Sequence, residues 1–209
     1  MRMNRKILTL SAAALALTIG GWFSYQEFFT SGLEKLPDKV CDESIKRETV
    51  IRVLPDTRSA EDGADTNGTG DGFMFSCHIY TAGDSILSGE AQIQDSSQKT
   101  WENYYKSYGG KSKGASEQTS SRGIYAISRG DFASVYVPCV PSGSKADDAS
   151  QAYSLISEVR VIGESRSAGH DLHQALTDFA YELTRRAYAL GRCEDGQSFP
   201  AELPRFKEK

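Results

Sequence analysis

Two histidines stand one helical turn apart in the segment His170-Asp171-Leu172-His173, near the predicted start of a long amphipathic helix. Imidazoles at this spacing can supply two ligands of a metal site. A third ligand one turn further on is missing, because that position is Thr177, and no His-Glu-x-x-His pattern is present. The pattern favours an ordinary solvated first turn of a helix.

A serine-rich segment, Gly163-Glu164-Ser165-Arg166-Ser167, lies between a predicted strand and this helix. Serine hydrolases of the α/β type carry their nucleophile at such a place, but Ser167 stands where the nucleophile elbow needs its second glycine. The favoured interpretation is a loop with a serine helix cap. An exported hydrolase that uses Ser165 or Ser167 with His170 or His173 is the alternative function.

Two further motifs are incomplete or have a simpler explanation. The run Asp65-x-Asn67-x-Thr69-Gly70 matches the opening of a calcium loop, but Ser76 occupies the twelfth position, where a bidentate glutamate is expected. The adhesion tripeptide Arg129-Gly130-Asp131 lies between two predicted strands, where a hairpin turn requires such residues anyway. The sequence therefore predicts no catalytic residue, no metal site and no cofactor, and we expect a protein that is not an enzyme.

Aromatic residues give a softer signal of binding. Tyrosine is frequent at binding surfaces, because its ring is apolar and its hydroxyl is polar. A short predicted helix over residues 99–108 carries four aromatic side chains at helical spacing. We predict that a binding surface, if the domain has one, includes these four: Trp101, Tyr104, Tyr105 and Tyr108.

The chain begins with an apolar run, residues 7–25, that contains 19 residues without a charge. As a helix it would span about 28 Å, close to the hydrocarbon thickness of a bilayer. Residues 1–6 contain three basic residues and no acid, which predicts a cytoplasmic N-terminus and a domain on the other side of the membrane. We predict a single-pass anchor; the alternative is a cleaved signal peptide, which would make the protein secreted.

Composition limits the possible partners. The 184 residues after position 25 contain 21 basic residues and 28 acids, so this part carries a net charge of −7. A net acidic domain is a poor ligand for nucleic acid or anionic lipid. The partners that remain are a protein or a small molecule of unknown identity, besides the membrane itself.

All four cysteines, Cys41, Cys77, Cys139 and Cys193, follow the apolar run. An even number of cysteines in an oxidising compartment predicts disulfides, and no pair has the spacing of a zinc site. Of the three connectivities that four cysteines allow, we predict Cys41–Cys77 and Cys139–Cys193, because each bond would tie a helix end to a strand.

The predicted organisation is a connector over 26–40, one domain over 41–193 and a frayed polar tail over 194–209. Turn-rich composition predicts a mobile loop over 56–72 and another loop over 111–121. The predicted helices span 42–54, 99–108 and 168–190, and the predicted strands span 73–81, 86–93, 123–127, 132–137 and 153–162. Without steady strand–helix alternation, these elements predict an α+β fold, an antiparallel sheet with helices packed on one face.

The order of these features is similar to that of small exported domains of actinobacteria. The features are a basic start with an apolar run, Cys41 at the predicted start of a helix, Phe75-Ser76-Cys77 in the first strand, and a last helix that ends at Cys193. The similar proteins are envelope lipoproteins and the extracellular sensor domains of receptor-type Ser/Thr kinases. The resemblance implies a disulfide-stapled α+β domain outside the membrane that binds or senses a ligand. The chain lacks the lipoprotein cysteine and a kinase domain. A structural cell-envelope protein is a further alternative.

Overall fold

A computed structural model describes Tyr25 and residues 31–107, 116–142, 152–194 and 196–207. It shows an α+β fold in which a seven-stranded antiparallel sheet is combined with three helices and two disulfides. The anchor predicted over 7–25 lies outside the described residues apart from Tyr25. No helix among the described residues is long and apolar enough to cross a membrane.

The seven-stranded sheet has the order β3-β4-β5-β9-β8-β7-β6, and every neighbouring pair is antiparallel. A separate small hairpin precedes it, with β1 at Lys39–Val40 and β2 at Ile45–Lys46. The strands of the large sheet are β3 Ala60–Asn67, β4 Met74–Thr81, β5 Ile86–Asp95, β6 Glu117–Ser121, β7 Ile124–Arg129, β8 Phe132–Pro138 and β9 Tyr153–Ile162. The helices are α1 Arg47–Val53, α2 Gln98–Ser107 and α3 Gly169–Leu190.

Helix α3 covers one face of the sheet and forms the main core with it. Side chains at alternate positions of β4, β5, β8 and β9 point toward this helix, as the period of a strand requires. Gly89 in β5 allows the close approach, because a Cβ atom there would lie 2.9 Å from Leu183 Cδ2. The largest fully buried side chains on this side include Phe75, Ile79, Leu87, Leu155, Leu176, Phe179 and Leu183.

Helix α2 packs on the opposite face, so the prediction that the helices share one face is wrong. Its Trp101 donates a 2.9 Å hydrogen bond from Nε1 to Ser134 Oγ in β8, and both residues are buried. Strand β8 is thus covered from both sides. A second apolar cluster results, made of Trp101, Tyr105, Ile127, Phe132, Tyr136 and Ile156.

The first helix begins at Arg47 and not at residue 42. Residues Cys41, Asp42 and Glu43 have φ angles of 52°, 61° and 59°, which exclude a right-handed helix there. They form the turn between β1 and β2 instead. Pairing of Val40 with Ile45 explains this outcome, because the two strands fix both ends of the turn.

The predicted mobile loop over 56–72 contains β3, which pairs with β4 along eight residues. Similarly, the end of the loop predicted over 111–121 is the edge strand β6; residues 111–115 lie outside the described residues. Both strands are polar and lack apolar periodicity. Their stability comes from ladder hydrogen bonds to the neighbouring strand, which no local pattern reveals.

The C-terminal tail is not frayed between residues 196 and 207. Leu203 and Phe206 are buried, at 3% and 6% exposure, and the backbone N–H of Phe206 donates to Gln174 Oε1 in α3. On the other side, Thr119 Oγ1 in β6 donates to the carbonyl of Pro204. The tail therefore joins α3 to the edge strand β6.

Both predicted disulfides are present. Cys41 in the β1–β2 turn is bonded to Cys77 in β4, with 5.5 Å between the Cα atoms. Cys139, which follows β8, is bonded to Cys193, which follows α3, with 5.0 Å between the Cα atoms. The second bond connects a helix end to a strand end, as predicted, whereas the first connects a turn to a strand.

Candidate functional site

Helix α2 lies over β7 and β8 and contacts β9 through Tyr105, and it leaves the same face of the sheet open over β5 and part of β9. The open part forms a groove with a volume of about 450 Å³. We call this surface the open face. The groove is lined by Ser88, Glu90, Gln92, Gln94, Phe132, Ile156, Glu158, Val159, Arg160 and Ile162.

The floor of the groove consists of side chains from paired positions on β5 and β9. Ser88 is opposite Arg160, Glu90 is opposite Glu158, and Gln92 is opposite Ile156. Directly opposed residues of an antiparallel pair point to the same face, with Cβ atoms about 5 Å apart. The floor is therefore mostly polar, and the intervening residues of both strands face the α3 core.

Phe132 of β8 forms the wall of the groove, and the buried ring of Tyr105 from α2 supports it. The two rings stack at 5.4 Å between centroids with an interplanar angle of 17°, and Arg160 Cζ lies 5.7 Å from the centroid of Phe132. The hydroxyl of Tyr105 donates a hydrogen bond to Glu158 Oε1. Burial, and then the Glu158 carboxylate, raises the pKa of Tyr105 well above its usual range, so the phenol keeps its proton.

The opposed carboxylates Glu90 and Glu158 give the groove its charge. Within the described ranges their hydrogen-bond partners are neutral: Gln92 Nε2 for Glu90 and the Tyr105 hydroxyl for Glu158. Like charges directly opposite each other in a sheet are unfavourable. Arg160 is the next residue of β9 on the same face. The three charged side chains of the lining, Glu90, Glu158 and Arg160, therefore carry a net charge of −1.

Exposed apolar side chains are concentrated around this groove. Among the described residues from 31 onward, the large apolar residues with high exposure are Tyr80 at 51%, Tyr104 at 52% and Ile162 at 49%. Tyr80 is opposite Ile86, which is opposite Ile162, so these three form one apolar row beside the polar floor. The ring of Tyr104 contacts Tyr105 edge-on at 4.8 Å.

Of the predicted aromatic surface, Tyr104 is exposed, whereas Trp101 and Tyr105 are buried at 2% and 5% exposure and support the wall. Tyr108 lies outside the described residues. The floor residues Glu90, Gln92, Glu158 and Arg160 were not predicted from the sequence. Their signal was the polar alternation in β5 and β9, which indicates that the second face of these strands has no apolar cover.

Both histidines of the predicted pair bind one carboxylate on the edge strand β6. His170 Nδ1 and His173 Nδ1 each lie 2.9 Å from an oxygen of Glu117. Burial acts to raise the pKa of Glu117, but the hydrogen bonds and charge of the two histidines outweigh it and hold that pKa below its ordinary value. The arrangement ties the start of α3 to the edge of the sheet.

The serines of the hydrolase alternative are not paired with these histidines. Ser165 Oγ donates to the carbonyl of Ser167 at 2.8 Å, and Ser167 Oγ donates to the carbonyl of Arg52 at 2.7 Å. A nucleophilic serine needs a base within hydrogen-bond reach of its hydroxyl. The Ser165 hydroxyl instead bonds within the loop before α3, and the Ser167 hydroxyl holds this loop against the end of α1.

The remaining motifs have structural roles. Asp65 lies in β3 and accepts hydrogen bonds from the Thr66 N–H and from Asn67 Nδ2. Gly130 and Asp131 form the turn between β7 and β8. No group of three or more histidine, cysteine or acidic side chains in the described parts of the chain could hold a metal ion.

A second cleft, with a volume of about 330 Å³, lies between α1, α3 and the tail. Asp178 forms two ion pairs in this cleft, at 2.9 Å from Arg52 and 3.0 Å from Arg205. Burial raises the pKa of Glu182, which accepts a 2.8 Å hydrogen bond from the backbone N–H of Lys46. This cleft holds three elements together, and the charges of its lining balance: Lys46, Arg52, Arg185 and Arg205 against Glu48, Asp178, Glu182 and Glu202.

No protein-family model, curated protein or solved structure matches this chain.

Proposed function

We propose that this chain is a membrane-anchored extracytoplasmic binding domain that recognises a ligand or partner with its open face. The observation that carries the proposal is the coincidence of the groove with Tyr80, Tyr104 and Ile162 on one side of one sheet. A groove of this volume falls in the range of about 300–1,000 Å³ that is typical of ligand sites.

The location outside the cytoplasm rests on the two disulfides and on the basic, apolar N-terminus. Disulfides persist in oxidising compartments. The topology with residues 1–6 in the cytoplasm and residues 7–25 as an uncleaved anchor remains part of this proposal, since it follows from charge and apolar length alone.

Photo-crosslinking in the native cells tests the binding function. We would place p-benzoylphenylalanine at Tyr104 or at Ile162 in the full chain, with Glu202 on the tail as the control position. The expected result is an adduct of one defined mass at both open-face positions and none at Glu202. Adducts at Glu202 alone, or no adduct at the two open-face positions, would overturn the proposal.

A fluorophosphonate probe separates this function from the hydrolase alternative. We expect no stoichiometric labelling of the folded protein. Labelling that is lost in Ser165→Ala or Ser167→Ala would instead assign an exported hydrolase. A deletion that weakens the cell envelope, without any open-face adduct, would favour the structural alternative.

A further inference from the structure

We infer that the open face binds a basic peptide segment of a partner protein, with a lysine or arginine side chain seated between Glu90 and Glu158. The inference rests on the proposed function and names the chemistry of the partner. Its first support is charge: the two carboxylates face the groove together, and their hydrogen-bond partners in the described chain are neutral. A cation between them would remove the repulsion that the free domain retains.

The strand register places a third acid, Asp65, in line with this pair. Ser76 is opposite both Asp65 and Glu90, and Glu90 is opposite Glu158, so three acids lie in one cross-strand row. Neighbouring strands are about 4.8 Å apart, and the row therefore covers roughly 14 Å. Acids at several points along such a row match a segment with more than one basic residue better than a single amine.

Apolar groups lie beside the acidic row, toward the end of the strands where Ile162 stands. The ring of Phe132, opposite Arg160, lies in the groove wall, and the row formed by Tyr80, Ile86 and Ile162 lies beyond it. Lysine and arginine carry long apolar stems below their charged ends, and these stems pack on such surfaces. Aromatic rings also attract cations directly.

The same charges argue against other occupants. In a symmetric dimer whose two-fold axis passes through the groove, the Glu90–Glu158 pair would face its own copy, which costs free energy. An anionic partner would meet the same carboxylates. Of these partners, only a basic one has a charge that complements this face.

Fluorescence polarisation with a labelled heptapeptide of alternating lysine and valine tests the inference, and the same peptide with glutamate in place of lysine is the matched probe. We expect the folded domain to bind the lysine peptide, more weakly as salt rises, and not to bind the glutamate peptide. The double variant Glu90→Gln with Glu158→Gln should bind the lysine peptide at least about tenfold more weakly.

Two further variants keep the test independent of folding. Glu34→Gln with Glu48→Gln changes net charge equally at exposed positions away from the groove, and its affinity should stay within about twofold of the parent. Glu90→Lys should gain binding of the glutamate peptide, which an unfolded protein would not do. The inference would be overturned if both double variants lost affinity for the lysine peptide equally. It would also be overturned if Glu90→Gln with Glu158→Gln left that affinity unchanged.

Other outcomes separate this inference from the proposed function. If open-face adducts form but the lysine peptide does not bind, the binding function stands and the basic partner is wrong. Dimerisation in sedimentation experiments that is abolished by Ile162→Asp would assign the face to a second copy. If no open-face adduct forms and the lysine peptide does not bind, both the proposed function and this inference are overturned.

Discussion

Glu90 on β5 and Glu158 on β9 lie directly opposite each other on the open face, and Tyr105 donates a hydrogen bond to the second of them. A like-charged pair at the centre of a sheet lowers the stability of the free domain. Such a cost is typical of a binding site, because residues chosen for a ligand are not those that stabilise the fold best.

This relationship predicts the effect of Glu90→Gln on stability. Removing one charge of the pair should raise the free energy of unfolding by about 0.2–1 kcal/mol. Urea unfolding measures the change, and Glu48→Gln is the control, with an expected change within about 0.5 kcal/mol. A clear loss of stability in Glu90→Gln would show that the carboxylate contributes more through Gln92 than it costs through Glu158.

The Cys139–Cys193 bond should stabilise the domain substantially. It closes a loop with a sequence separation of 54 residues, for which chain entropy gives about 4 kcal/mol. We expect Cys139→Ser with Cys193→Ser to lose about 2–5 kcal/mol in urea unfolding, while peptide mapping without reduction still finds Cys41 bonded to Cys77. A peptide that joins Cys41 to Cys139 in the unmodified protein would contradict the pairing.

The tail should behave as part of the folded domain. Phe206 is 6% exposed and lies at the junction with α3, so Phe206→Ala should lower the free energy of unfolding by about 3–5 kcal/mol. The exposed Lys207 provides the control, since Lys207→Ala should change it by less than about 0.5 kcal/mol. If both substitutions changed the free energy of unfolding by the same small amount, the tail would be frayed, as its composition predicts.

These results show which parts of the fold are visible in the sequence. Strand β9 and helix α3 agree with the prediction to within one residue, because long segments with strong periodicity determine their own structure. Strand β3 was missed because its residues are polar and its ladder partner lies in β4. The tail was missed for a related reason: its three large apolar residues, Phe199, Leu203 and Phe206, stand among prolines and charges without a period, yet all three pack on a surface made by distant elements.

Only part of the candidate site could be predicted from the sequence, for a similar reason. The helical spacing of Trp101 and Tyr105 correctly indicates a cluster, but it does not say whether the cluster binds a ligand or packs on the sheet. The opposition of Glu90 and Glu158 depends on the register between β5 and β9, which are separated by α2 and three strands. No pattern within either strand specifies that register.

The predicted anchor can be tested by intact mass. The protein extracted from membranes should retain residues 1–25, because the apolar run continues to Tyr25 without the small residues of a cleavage site at its end. Mass spectrometry of the detergent-extracted chain measures this directly. A mature N-terminus between residues 16 and 32 would identify the run as a signal peptide and the domain as secreted.

The carboxylates Glu117 and Glu182 should give the domain two pH dependences of opposite sign. Hydrogen bonds from His170 and His173 hold the pKa of Glu117 below 4.5, although burial opposes them, so its contribution is complete above about pH 4.5 and is lost as pH falls further. We expect Glu117→Gln to cost about 1.5 kcal/mol at pH 7 and to reduce the loss of stability on acidification.

Glu182 provides the internal comparison, because burial raises its pKa above 4.5. The folded state then disfavours its ionised form, and stability is lost as pH rises from 4.5 through the higher folded value. The free energy of unfolding of Glu182→Gln, relative to the parent, should therefore increase with pH over that window. For Glu117→Gln, the free energy of unfolding relative to the parent should instead become more negative as pH rises from acid values to about 4.5. Urea unfolding of the three proteins between pH 3 and 8 measures both slopes. Parallel slopes for the two variants would show that the histidines do not stabilise the ionised form of Glu117.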